Sequence, residues 1–559
     1  MEKKRILALS LCSLTAFGAL GATACGKKSK GVINEVKTLN VAMCNAGYGS
    51  AWINELKEKF ELLYREEGYK INILEPRNNL TGSTALSEMR LGTQMGVDLY
   101  LTAGVTAEDV TDEEYGVCAE KLNDLYDKGA INFDGSVDET PIKEYAANYK
   151  GWLAIGEDYY DYFYFSSPFG VVVNVKVLAD YGITDLPRTT DELFECYDAI
   201  YNGANGRPST KTSGVYPTTW GGDNASGYAP NSLLVHIAQL MGNEAYEKFT
   251  TMNEVVENPE MLANGYTMYE NIDLKDALEV FAQQYDVMYS TKGSETQKHD
   301  VAHSRLVTGK AVFMTDGEFF FNEVKANFTS KLNDITFMNV PVISKLGVKL
   351  QLDGSGADAA KCDDILSYMV ALVDEGKGNA EIKSSTQRQF SITLTDEQVQ
   401  RVVDARKIVP MSLESDSYIV KGSPKKDIAE LFLRMMASKD AANVMSKYAM
   451  GSAYHSAEPQ ADEYRFIKDA HKVWSSSTYR IARNNKLGTV RKKINMFAIP
   501  GKTTSIVIDM MAAMGIEENE DITTRNYAYW ANKFYEDAKS DARSKWSWYL
   551  ERGGYTVND

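Results

Sequence analysis

Between Thr38 and Gly104 the chain reads as strand, helix, strand, helix, strand, and this alternation constrains the fold more than any other feature. The apolar run Thr38–Met43 leads through Cys44-Asn45-Ala46-Gly47-Tyr48-Gly49 to Ser50, a residue suited to cap a helix. On that helix Trp52, Leu56, Phe60, Leu63 and Tyr64 recur at helical spacing, and Gly68 stops it. A second strand is expected over 69–74, a second helix over about 84–95, and a third apolar run over 97–102 ending near Gly104. Strands alternating with helices make parallel sheets, and ligands of such sheets sit outside the carboxyl ends of the strands. Asn45, Tyr48, Asn78, Asn79 and Thr102 fall at those ends and are candidate ligand-binding residues.

Further along, 165–175 is a β-branched strand ending in Asn174, and Thr190 is expected to cap a helix over 191–201. An apolar run over 304–314 leads into Thr315-Asp316-Gly317-Glu318-Phe319, and 335–341 is another buried strand. Ser423-Pro424 has the form of an N-cap followed by a first-turn proline, ahead of a helix carrying Ile428, Leu431, Phe432 and Met435. There is no internal repeat and no low-complexity tract.

Length and charge narrow the class. A chain of 559 residues that is 44% hydrophobic and 25% charged suits two or three globular domains. With 77 acidic against 60 basic side chains and no run of Lys or Arg, a phosphate-backbone-binding surface, and so a nucleic-acid partner, is excluded from the reading. Lys3, Lys4 and Arg5 precede an apolar stretch over 6–20, then Gly21-Ala22-Thr23-Ala24 and Cys25. This is the layout of an export signal, and it resembles the lipobox of bacterial lipoproteins, whose cysteine is acylated after cleavage just before it. The stretch is too short for a membrane span, and no later stretch reaches the length needed. Removing 1–24, which carry a net +2, leaves about −19, so attachment to an anionic membrane falls to the lipid on Cys25. Cys44, Cys118, Cys196 and Cys362 have no CxxC spacing and read as isolated small core residues.

The Gly47-Tyr48-Gly49 loop, the strand opening with Asp98, and Gly170–Asn174 followed by Leu178, Gly182 and Asp191-Glu192-Leu193 together resemble extracellular solute-binding proteins of ABC importers. Gly309-Lys310-Ala311 leading to Met314 and Gly317, and the Ser423-Pro424 helix, complete the likeness, which is to the carbohydrate-binding group of maltose-binding-protein type. The resemblance implies a periplasmic-binding-protein-like α/β fold, two lobes with a hinge and a ligand cleft between them. It implies a signal peptide over 1–24, a lipidated stalk over 25–37, lobe 1 over 38–168 and 415–448, and lobe 2 over 169–414 and 449–559, enlarged at 346–412 and 460–559. The implied partners are a carbohydrate, the transmembrane permease subunits and, through Cys25, the extracellular face of the cell membrane, with the protein a monomer. No cofactor and no metal is expected.

Sugars offer C–H faces that stack on aromatic rings and hydroxyls that need paired donors and acceptors. The 216–231 stretch holds that mixture in Trp220, Asp223, Tyr228 and Asn231, where the family places second-lobe contacts. Phe319 stands where the family commonly has a stacking tryptophan. Among the other aromatic runs, 159–165 and the 527–549 cluster read mainly as core. His299 and His303 have the i, i+4 spacing of a zincin helix, but Asp300 replaces the Glu that would serve as base, so the pair reads as two surface histidines. The Asp353-Gly354-Ser355-Gly356 loop lacks the full calcium-loop pattern and reads as a turn. A peptide or other polar solute remains an alternative ligand, and a surface glycan-degrading enzyme an alternative class.

Overall fold

A computed structural model describes residues 31–45, 47, 49–112, 114–147, 153–222, 228–251, 264–412, 415–448, 452–455, 464–482 and 527–552. The leader, Cys25, Tyr48 and Asp223 lie outside the described residues. In chain order the elements used below are β1 (Thr38–Met43), α1 (Ala51–Leu63), β2 (Lys70–Ile73), α2 (Gly82–Arg90), β3 (Leu99–Thr102) and β4 (Tyr162–Phe163). They continue with β5 (Ser167–Asn174), α3 (Thr190–Asn202), β6 (Tyr216–Thr218), α4 (Pro230–Met241), α5 (His299–Val307), β7 (Ala311–Gly317), α6 (Phe320–Phe328) and β8 (Ile335–Met338). The last are β9 (Ile408–Ser412), β10 (Asp416–Ile419), α7 (Lys426–Met436), β11 (Tyr479–Ala482) and α8 (Tyr527–Arg552). The described residues fall into two compact units, unit 1 within Met1–Ala46, Ser50–Tyr164 and Glu414–Ser438, unit 2 within Gly47–Gly49, Phe165–Leu413 and Lys439–Asp559.

Unit 1 is a five-stranded sheet in the order β2-β1-β3-β10-β4. The first three strands are parallel, with Val41 beside Leu99, and β10 closes antiparallel on β3 with Asp416 opposite Thr102. Every residue of β1 is buried, as an apolar strand covered on both faces should be. α1 buries Trp52, Ile53, Leu56 and Phe60, one stripe of a 3.6-residue repeat. α2 is shorter than its pattern suggests. Gly92, at φ +59, breaks it, and a 3-10 turn over Gly92–Met95 follows.

The Ser423 cap expected from sequence is not formed. Ser423 donates its hydroxyl to Asp98 Oδ1 at 2.9 Å, and Lys425 Nζ lies 3.1 Å from Asp98 Oδ2, so α7 starts only after Lys425. Asp98 also accepts Asn40 N–H at 2.8 Å, while the Ser423 oxygen accepts Lys425 N–H at 3.2 Å, in the turn ahead of α7.

A second buried acid sits beside β4. Asp161, 1% exposed, accepts Ser417 N–H at Oδ1 (3.2 Å), and its Oδ2 lies 2.7 Å from the Tyr418 hydroxyl, which is itself 2.9 Å from Val105 O. Tyr418 has one proton and two acceptors. All three groups are satisfied when Asp161 is the neutral acid and donates to Tyr418, which then donates to Val105. Burial pushes the Asp161 carboxyl up to about 8, overriding the hydrogen bonds with Tyr418, Ser417, Tyr162 and the neighbouring acid Asp416 that favour its anion.

Unit 2 holds a sheet in the order β6-β7-β5-β9-β11, with β8 also on β5. β5, buried throughout, is antiparallel to β7 (Val172 opposite Met314), to β8 (Val172 opposite Phe337) and to β9 (Pro168 opposite Met411). β8 comes so close that a Cβ on Gly170 would lie 2.4 Å from Met338 O. The cap of α3 is Thr189, not Thr190: its Oγ1 accepts Glu192 N–H at 3.3 Å, while the Thr190 hydroxyl turns to Ser344, 3.1 Å away. Trp530 and Trp546 of α8 are buried in the unit 2 core with Leu193, Phe281 and Ile365, the packing role expected for the terminal aromatics. The 159–165 run is likewise core, with Tyr162 and Tyr164 both buried. All four cysteines within the described residues are buried, and no two form a disulfide. No helix of the described residues is long and apolar enough to cross a membrane.

Candidate binding site

In unit 1 the strand-end candidates gather as the parallel sheet requires. Asn45 donates its N–H to Arg77 O at 3.3 Å, which sets the loop after β1 beside the loop after β2. Asn78 and Asn79 are exposed at the tip of that second loop. Thr102, at the end of β3, is fully buried and donates its hydroxyl to Leu80 O at 2.7 Å, so its side chain braces the asparagine loop.

In unit 2 the loop after β6 is clamped by the 291–297 turn. Gly222 N–H donates to Ser294 O at 2.8 Å, and Gln297 Nε2 reaches Thr219 Oγ1 at 3.0 Å and also Trp220 O. Trp220 points inward. It is 7% exposed, its indole N–H meets Ser290 Oγ at 3.3 Å, and Tyr285 packs edge-on at 6.4 Å. The aromatic residue of this loop that reaches the surface is Tyr228, which is half-buried. Its ring stacks on His299 at 4.5 Å with 14° between planes, and meets Phe319 at 5.3 Å and Phe169 at 5.4 Å. Phe169 and Phe319 contact each other edge-on at 5.6 Å. Asn231 lies just inside the start of α4, 1% exposed, with Nδ2 donating to Tyr228 O at 2.9 Å. Tyr228, Asn231 and Phe319 therefore come together, while Trp220 supports the loop from behind.

One close approach fixes this wall. A Cβ at Gly221 would lie 2.6 Å from His299 Nδ1, so only glycine lets the loop pass this close to α5.

The histidine pair departs from its expected surface role. His299 is half-buried against Tyr228, whereas His303, one turn later, is 4% exposed and ringed by acid. Its Nε2 lies 2.8 Å from Asp316 Oδ2 of β7 and its Nδ1 3.4 Å from Glu323 Oε2 of α6. Burial alone would depress its pKa. Attraction and hydrogen bonding to Asp316, with Glu323 and Asp300 beyond, outweigh that and raise it. The ring is thus held as a buried cation on Asp316, with Glu323, whose carboxyl burial pushes up to about 7, at its other nitrogen. No group of His, Cys, Asp and Glu among the described residues is placed to hold a metal. Sequence spacing could not reveal this triad, because its members lie 13 and 20 positions apart on three different elements.

No protein-family model matches the chain, and no curated protein sequence does. Solved structures do. A protein described as a probable secreted solute-binding lipoprotein from Streptomyces coelicolor is 13% identical, covers 91% of this chain and 100% of its own, and superposes with a TM-score of 0.54. A chitin oligosaccharide binding protein is 12% identical over 90% of this chain and 99% of its own, at a TM-score of 0.50. A structure from work on xylan utilization by Caldanaerobius polysaccharolyticus is 14% identical over 89% and 99%, also at 0.50. At such identities the likeness speaks for backbone architecture, and on that ground the chain has a periplasmic-binding-protein-like α/β fold built from two α/β units.

Proposed function

We propose that the protein is the extracellular substrate-binding component of an ABC importer and that it captures a carbohydrate, specifically an oligosaccharide, for delivery to the membrane permease. The observation that carries this reading is the ring wall of unit 2, where the half-buried Tyr228 is held by Phe319, Phe169 and His299. A ring fixed on three sides offers its remaining surface to the C–H face of a sugar without ordering cost, and the buried Asn231, whose Nδ2 holds Tyr228 O, is proposed to serve the site by positioning that ring. Asp223, in the same loop, is the proposed charged partner that strengthens those hydrogen bonds. Asn45, Asn78 and Asn79 at the strand ends of unit 1 are proposed as further hydroxyl-binding groups, and Thr102 as the brace beneath them.

Three things support the reading together. The leader and Cys25 fit export and lipid anchoring at the outer face of the cell membrane. The fold is one found in a secreted solute-binding lipoprotein and in an oligosaccharide-binding protein. The histidine pair, which could have argued for a metal hydrolase, is instead committed to carboxylates at both nitrogens of His303.

A thermal-shift screen of the purified protein against chito-oligosaccharides and xylo-oligosaccharides tests this, with product analysis of the same mixtures. Stabilisation without cleavage is expected, and Tyr228→Ala should remove it. Hydrolysis of a glycan would replace the receptor with an enzyme, and stabilisation by peptides alone would replace the sugar.

A further inference from the structure

The wall that holds Tyr228 is carried by two helices, α5 through His299 and α6 through Phe319, its N-cap. The clasp joining them is His303. Its ring lies one turn from His299 on α5, meets Asp316 on β7 at 2.8 Å and Glu323 on α6 at 3.4 Å, and is packed edge-on by Phe320 at 4.9 Å. Carboxylate oxygens accept hydrogen bonds and do not donate them when ionised. Burial pushes the Glu323 carboxyl up to about 7, so Nδ1 and Glu323 are satisfied while a proton lies on either of them, and above that range only while the ring carries both of its protons. Once one is lost, the Asp316 bond survives on the remaining N–H, and the bare Nδ1 lone pair faces the lone pairs of Glu323.

We propose that His303 is a positioning residue whose protonated ring clasps α5 to α6, so that the Tyr228 wall, and with it sugar binding, is set by pH. The proposal rests on the carbohydrate reading above only for its binding consequence; the coupling of the wall to the clasp stands apart from any ligand. The titratable groups facing the ring are Asp316 from β7, Glu323 from α6, and Asp300 and His299 from its own helix. β5 and the 3-10 turn Thr329–Asp334 also pack against α5, and among the described residues they bring no charged group within ion-pair distance of the ring. The sign follows from the raised proton affinity of His303. The clasp is intact at acidic and neutral pH and is lost as pH rises through its titration.

The chain has five histidines, so their ring signals can be followed one by one by NMR, with single His→Gln variants as assignments. In the protein without ligand, His303 should titrate above the ordinary imidazole range. The His299 signal, shifted by the Tyr228 ring it stacks on, should show an inflection at the His303 midpoint in addition to its own. Glu323→Gln gives Nδ1 an amide that can donate to its lone pair, and should abolish that inflection while leaving the protein folded. A His299 signal blind to the His303 midpoint, or an unchanged profile in Glu323→Gln, would overturn the proposal. With a chito- or xylo-oligosaccharide that binds, affinity should fall at least about fivefold, the lower end of ordinary site-to-site coupling, between pH 6 and pH 9 in the wild type, and stay flat in Glu323→Gln. An affinity independent of pH beside a responsive His299 signal would sink the binding half alone. If no glycan binds at any pH, the carbohydrate reading fails and the His299 signal still decides the clasp.

Discussion

Replacing Asp161 with asparagine should stabilise the protein at neutral pH, against the usual rule that changing a buried, hydrogen-bonded residue is costly. In the native state Asp161 holds its proton up to about 8, whereas in the unfolded chain it gives it up near 3.8. Keeping it protonated costs about 1.4 kcal/mol for each pH unit above the unfolded value, or roughly 4 kcal/mol at pH 7. Asparagine reproduces the neutral acid. Its Nδ2 donates to the Tyr418 oxygen, leaving that hydroxyl for Val105 O, and its Oδ1 accepts Ser417 N–H. The sign is set by proton counts. Between pH 4 and 8 the native state binds more protons at this site than the unfolded state, so the wild type loses stability as pH rises and Asp161→Asn does not. Urea unfolding of both proteins at pH 4.5, 6 and 7.5 measures the difference. It should be about 1 kcal/mol at the first pH and grow to as much as about 5 kcal/mol at the last. A variant less stable than wild type at pH 7.5, with a gap that does not change with pH, would mean that Asp161 is ionised and that the proton assignment through Tyr418 is wrong.

Lys425→Met should leave Asp98 buried with its charge uncompensated and cost about 3–5 kcal/mol, while the Asp98→Asn/Lys425→Met pair should recover part of the loss, read as unfolding midpoints in a double-mutant cycle. Gly170→Ala should destabilise unit 2 by roughly 2–3 kcal/mol, because its methyl group would meet the Met338 carbonyl, and a midpoint equal to wild type would refute that close approach. Trp220→Phe should lower stability by about 1–2 kcal/mol through lost volume and the lost bond to Ser290, yet leave sugar-induced stabilisation intact if Tyr228 is the stacking ring.

The periodic parts of the fold were legible in the sequence. The strand and helix alternation of unit 1 follows from local pattern because each buried stripe repeats within a few residues, as Trp52, Leu56 and Phe60 do. Asp98 and Ser423 were each visible as landmarks, but nothing local announces that they share a hydrogen bond across a separation of 325 residues. The same reason explains the capping errors. Ser423 and Thr190 have side chains suited to caps, but Thr190 Oγ1 is engaged by Ser344, and Ser423 Oγ, held by its bond to Asp98, accepts Lys425 N–H ahead of α7. At the candidate site, the mixture of rings and amides in the 216–231 loop was readable, whereas the direction each ring faces depends on Ser290, Tyr285 and His299, which come from elsewhere in the chain. Tyr48 and Asp223 lie outside the described residues and stand as proposals.

The late return of the chain to unit 1 has a consequence for how the protein is made. β3 has β1 on one side from the start, but its other neighbour, β10, begins at Asp416, and α7 follows at Lys426. During synthesis the most buried strand of the first unit therefore emerges early and stays unpaired along one edge while some three hundred further residues are added. Loop closure over that span is slow, and the first unit cannot complete its sheet until most of the polypeptide exists. Under the export proposed above, this order of assembly would help, because the segment that enters the membrane first would be the one least able to fold before it has crossed.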